Sequence, residues 1–197
     1  MSEILPYLLS TFIGIGLAAA SGFRVFLPLF AVSLASYVGW IPMGDNFEWL
    51  SGLPTLITTG VATLIEILAY YIPVVDNFLD TLSIPLATIA GSVLFASQFM
   101  ELGTFPQWAL ALIAGGGTAA TITSGFAGTR AASTATTGGI GNNLVATTET
   151  AGAGLMSILS IFLPVIAFIL AISLIVLVLF FGRKLWRKMK TQNSGIF

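Results

Sequence analysis

Most of the chain consists of apolar runs long enough to cross a lipid bilayer, and this constrains its fold more than any motif does. The runs cover about 4–20, 25–41, 53–72, 82–100, 106–122 and 152–182. A crossing helix needs roughly 20 consecutive apolar residues. Lipid admits only helices or closed barrels, because no water is present to satisfy open backbone. Apolar residues make up 56% of the 197 and charged residues only 8%, against about 25% charged in a soluble domain. The class that follows is an all-α polytopic membrane protein of about six hydrophobic helices, with no room for a separate soluble module.

Some runs are irregular. The first is interrupted by "SGFR" (Ser21–Arg24) and resumes at Val25, as two tightly joined helices or one broken helix. Asp80, with Pro85 in the first turn, reads as the N-cap of the fourth helix. The last run is about 30 residues long, or ~45 Å of helix, so it must tilt, kink near Pro164 or begin in water. Six crossings would leave both termini on one side.

Charge is distributed unevenly. Five of the seven basic residues fall in Arg183–Lys190, and the rest of the chain sets two arginines against eight acids. A basic cluster directly after an apolar run marks a cytoplasmic end. The expected organisation is therefore a transmembrane domain over 1–182 and a basic cytoplasmic tail over 183–197, with Trp186 in the interfacial zone. A stop-transfer anchor explains that tail fully, so no nucleic-acid partner is expected. The start, "MSEILPYLLS", reads as the opening of the first span and not as a cleaved signal.

Chemistry is limited by what is missing. The chain has no cysteine and no histidine, which removes disulfides, thiol catalysis and imidazole ligation of zinc or haem. "AGGGTAA" (Ala114–Ala120) lacks the G-K-[ST] of a phosphate loop, and Ser124 has no histidine to activate it. No enzyme, metal or cofactor is expected.

The segment Thr123–Thr150, "TSGFAGTRAASTATTGGIGNNLVATTET", is out of keeping with its surroundings. Ser, Thr, Gly and Asn supply 17 of its 28 residues, and it holds Arg130 and Glu149. It is expected to fold at least partly back into the membrane, helical around Thr129–Thr137 and broken at "GGIGNN". "SGF" at Ser21–Phe23 echoes "SGF" at Ser124–Phe126, each ahead of an arginine. That echo admits an inverted repeat of broken helices, an arrangement common in transporters, or chance.

The candidate site residues follow from their cost in lipid. An arginine there must pair, snorkel or face water. Arg24 and Arg130 suit an anion or phosphate through the guanidinium fork, or structural ion pairs. Thr129, Ser133, Thr134 and Thr137 place hydroxyls on the helix of Arg130, either to hydrogen-bond a solute or to allow tight packing. Glu66 lies deep in an apolar run, as a proton carrier or as a partner of Arg24 or Arg130. Asp76 and Asp80, four apart, serve as caps or as further charge partners. Glu149 caps the last long helix or reaches back to Arg130.

"GLAAASGFRVFLPLF" (Gly16–Phe30), "EILAYYIPVVDNFLDT" (Glu66–Thr81) and "AGTRAASTATTGGIGNNLVATTET" (Ala127–Thr150) together resemble the bacterial domain-of-unknown-function 4126 family. The resemblance runs over nearly the whole chain. It implies an integral membrane protein and supplies no reaction. It marks Arg24, Pro28, Glu66, Pro73, Asp76, Asp80, Thr129, Arg130, Asn142 and Glu149 as residues of note. Tyr70 stands where the family often has an aspartate, which weighs against a mechanism needing a second carboxylate beside Glu66.

The function expected is a small multi-pass transporter or channel of the cell membrane for an anionic solute or a lipid phosphate, with proton coupling as an option. The alternative is a non-transporting scaffold or assembly factor. The expected partners are membrane lipids and a small anion or phospholipid headgroup, and self-association is left open.

Overall fold

The computed structural model describes residues 4–100 and 102–193. Expectations for the first three residues, for 194–197 of the basic tail and for the side chains of Pro73 and Trp186 lie outside the described residues. Every regular element described is helical: α1 (Ile4–Phe23), α2 (Phe26–Tyr37), a 3₁₀ turn (Asp45–Ser51), α3 (Leu53–Ala69) and α4 (Pro73–Ala96). Then come α5 (Thr104–Leu110), a π-helical stretch (Ala111–Gly116), α6 (Gly117–Thr137), α7 (Asn142–Phe162) and α8 (Pro164–Asn193). Five helical segments are long and apolar enough to cross a membrane. A sixth is available if the 3₁₀ turn and α3, bent by 60°, form one broken span.

Helices attract one another weakly through apolar burial in lipid, so close approach of small residues has to hold the bundle together. α1 is built for this. Gly14 to Gly22 are all buried, and α4, α6, α7 and α8 pack around them. A Cβ on Gly16 would lie 2.3 Å from Ser160 Oγ, and one on Gly22 would lie 2.7 Å from Ile122 Cβ. The second close approach joins α4 to the π-helical stretch, where a Cβ on Gly115 would meet the Gly91 carbonyl oxygen at 2.5 Å.

These contacts also fix helix direction. Along α1, Gly14 lies beside Phe95 and Ser21 beside Gly91, so α4 runs against it. Gly16 lies beside Ser160 and Phe23 beside Gly152, so α7 does too. Phe12 stacks on Phe168 and Phe23 on Phe126, and Gly125 meets Val178, which sets α6 and α8 along α1. α2 and α3 form a hairpin tied by Ser33 Oγ donating to the Leu50 carbonyl. The path reverses at each connection, so α1 begins at one end of the bundle and α8 finishes at the other. This differs from the six-span expectation of termini on one side. The extra reversal is at Leu163–Pro164, where the last apolar run, expected as one span, divides between the oppositely directed α7 and α8.

Two boundaries also differ from expectation. α4 begins at Pro73, a favoured first-turn position, so Asp80 and Pro85 are interior and Asp80 is not the cap. A proline inside such a helix is tolerated because neighbouring helices can re-satisfy the freed carbonyl. α7 begins at Asn142, so Glu149 lies two turns inside it and does not cap it. The polar segment is therefore two helices joined by a tight turn. Gly138 and Gly139, at φ 64° and 93°, end α6 in the left-handed conformation that glycine adopts freely. The last apolar run does break at Leu163–Pro164.

Adding one methyl group at Gly115 should cost about 1–3 kcal/mol through overpacking. At Gly117, where a Cβ meets nothing within 4 Å, alanine should be neutral or stabilising. Thermal unfolding of Gly115→Ala and Gly117→Ala in detergent checks this, and equal melting shifts would contradict the packing argument.

Candidate functional site

The turn after α1 leaves backbone donors exposed. Val25 and Phe26 open α2, and the first N–H groups of a helix have no partner within it. Glu66, from the last turns of α3, supplies both: Oε1 accepts from Val25 N at 2.8 Å and Oε2 from Phe26 N at 3.0 Å. A carboxylate at a helix N-terminus is favoured by the aligned peptide dipoles. Glu66 therefore caps α2 from a distance, and the ion pairs of Arg24 and Arg130 go to other carboxylates.

The same turn turns Arg24 inward, where its side chain is 0% exposed. Nε donates to Thr150 Oγ1 at 3.1 Å and Nη2 to the Ala146 carbonyl at 2.8 Å, both on α7. Nη2 also lies 3.5 Å from Glu149 Oε2. Arg130 enters from α6. Its Nε donates to Glu149 Oε1 at 3.0 Å and its Nη2 to Glu149 Oε2, a bidentate fork. Its Nη1 donates to Asp76 Oδ1 and lies 3.5 Å from Asp80 Oδ1. Glu149 is thus shared by both arginines. The Tyr70 ring is stacked by both guanidinium groups, with centroids 3.9 Å from Arg24 and 4.5 Å from Arg130.

The two Ser-Gly-Phe elements hold the arginines at this spacing. They meet where α1 crosses α6: Phe23 stacks on Phe126 at 4.8 Å, and Thr123 Oγ1 donates to the Gly22 carbonyl at 3.0 Å. Asn142 completes the cluster, its Nδ2 donating to Thr134 Oγ1 at 3.1 Å and to Asp76 Oδ2 at 3.4 Å. Arg130 and Glu149 each lie about 10 Å along their helices from the Gly138–Gly141 turn. The cluster therefore sits inside the bundle toward one end.

The remaining expected residues lie at its edge. Thr129 is exposed and donates to the Gly125 carbonyl of its own helix. Ser133 and Thr137 tie the turn, with Thr137 Oγ1 donating to the Ser133 carbonyl and accepting from Gly141 N. Reading the sequence missed Thr150 and Ala146, which hold Arg24. It noted Tyr70 only as standing where the family often has an aspartate, with no sign of its contact with both arginines.

Two features set this cluster apart from a closed structural network. With all groups ionised, two guanidiniums are set against the three carboxylates that pair with them (Asp76, Asp80, Glu149) and the adjoining Glu66, a formal charge of +2 − 4 = −2. Arg24 Nη1 and Asn142 Oδ1 are also buried without a hydrogen-bond partner. Native structures leave few such groups, and each costs about 1–3 kcal/mol.

The fold and site together define an all-helical multi-pass membrane protein with a buried, carboxylate-rich charge cluster. The chain matches the family model described as Domain of unknown function (DUF4126) over residues 11–184, and it belongs to that family. No curated protein and no solved structure matches it.

Removing one partner of a buried ion pair costs about 3–5 kcal/mol, and Glu149→Gln strips charge from two arginines at once. It should lower the melting temperature in detergent more than Glu66→Gln, which keeps one oxygen for the α2 donors at a cost of about 1–3 kcal/mol. A Glu149→Gln protein that melts like wild type would remove this carboxylate from the centre of the network.

Proposed function

We propose that the protein is a small proton-coupled membrane transporter for an anionic group, either a small anion or the phosphate of a lipid. The observation that carries this reading is the sharing of Glu149 between Arg24 and Arg130, beside an Arg24 N–H that has no partner. Neutralising that one carboxylate frees donors on two guanidinium forks, the geometry suited to phosphate-like groups. The excess of carboxylates supports the coupling, since protons can be taken up before an anion arrives. Return of Glu149 to its charged form restores the ion pairs and expels the anion. Proton and anion would therefore move together.

The two Ser-Gly-Phe elements and their arginines supply the two sides of this path. We take the end of α8 bearing Arg183–Lys190 as cytoplasmic on the positive-inside rule. The cluster then lies nearer the cytoplasmic face. One observation favours the second reading, a non-transporting scaffold: every Arg130 donor described above is already occupied by a carboxylate.

Flux into liposomes containing the purified protein separates the two. With the outside acid, uptake of inorganic phosphate or transbilayer movement of tail-labelled phosphatidylglycerol should exceed that of protein-free liposomes. Both Arg130→Ala and Glu149→Gln should abolish it. Folded wild type that moves neither substrate would leave the scaffold reading.

A further inference from the structure

α3 and α4 are joined by a short turn yet lean on different neighbours: α3 on α2, and α4 on α1 and α6. Between them lies a crevice of about 210 Å³ walled by Phe26, Ile65, Leu79 and Leu86, with Glu66 and Tyr70 also lining it. Its outer rim is lipid-facing in character, since Leu64, Ile65, Leu68, Phe78, Leu82 and Leu86 are all exposed. Tyr70 lies between this crevice and the arginines, because it lines the one and stacks on the other.

We infer that the anionic group handled by the cluster is the phosphate of a membrane lipid, which enters sideways between α3 and α4 with an acyl chain in the crevice. This rests on the transport reading above and narrows its substrate. A hydrated small anion would have to shed its water against largely apolar walls beside the Glu66 carboxylate. Among the described residues, the only hydroxyls there are those of Tyr70 and of Ser83, which already donates to the Asp80 carbonyl. An acyl chain enters from the bilayer without that cost. The volume is below the roughly 300–1,000 Å³ of pockets that enclose drug-sized ligands, so it takes a chain and not a headgroup. The headgroup must pass Tyr70. Beyond that ring, the unpartnered Nη1 of the fully buried Arg24 is a donor that a phosphate oxygen would satisfy. Apolar access and a buried cationic donor are the complementary halves of a phospholipid.

The test uses the full-length protein in liposomes. One arm follows transbilayer movement of tail-labelled phosphatidylglycerol, and the other follows acid-driven uptake of inorganic phosphate. Ala62→Phe and Ser83→Phe, from opposite walls of the crevice, should each slow lipid movement about tenfold or more by filling the space an acyl chain would occupy. Gel filtration and melting show which variants are folded, and two independent sites guard against the loss of one. Wild type that takes up phosphate but moves no lipid overturns this inference and leaves the anion reading standing. Folded crevice variants that move lipid at the wild-type rate also overturn it. Movement of neither substrate by wild type overturns both readings together.

Discussion

A single carboxylate that serves two guanidinium groups away from water is the constraint on which the rest of this structure depends. Glu149 sits two turns into α7, Arg24 follows α1 and Arg130 belongs to α6. Three helices must therefore converge at one level, or charge is left unpaired where it is most expensive. α4 is drawn to the same level by Asp76, and α3 by the ring of Tyr70 between the two arginines. An isolated pair could be exchanged for apolar packing with little loss. A network joined through one shared residue cannot be dismantled in that piecemeal way.

The convergence is possible because α1 presents almost no side-chain bulk over its second half. Its glycines and alanines let α4, α6 and α7 approach to distances at which an added methyl group would overlap them. The polar residues then need not be many. Ser21, Thr123, Ser157 and Ser160 each donate to a nearby backbone carbonyl, so the hydroxyls inside the bundle are satisfied locally. Among the described residues, the buried side-chain atoms left without a partner belong to the charge cluster. That contrast separates the parts of the interior that hold the fold from the part that has chemistry left over.

Much of the fold was legible from apolar length alone, as α1 coincides with the first run, although the last run divides at Leu163–Pro164 between α7 and α8. The boundaries that were not legible share a cause. Pro85 reads as a helix start, yet α4 already has Pro73 at its first turn and carries Pro85 in its interior. Residues 123–150 read as helical around Thr129–Thr137 and broken at "GGIGNN", as they are, but the helices run on through both flanks, since glycine and threonine in a packed bundle are spacers and not breakers. In the cluster, the two arginines and Glu149 stood out because charge in an apolar setting is conspicuous. The partners of Glu66 did not, since backbone N–H groups of a distant turn leave no mark in the sequence. Asp76 and Asp80 looked like caps because their cationic partner is remote along the chain.

The π-helical stretch between α5 and α6 has a consequence for which length changes this protein can tolerate. A π-bulge amounts to one residue more than an α-helix would carry over the same rise, and each residue of α-helix turns the chain by about 100°. Ala111–Gly116 therefore sets the rotational phase of everything after it. Losing one residue there would let the stretch relax to α-helix over the same rise and leave Arg130 on the Glu149 fork, whereas losing one from α6 before Arg130 would swing it by about 100° toward lipid. The irregular turn thus acts as a phase lock between helix packing near one end of the bundle and charge pairing near the other.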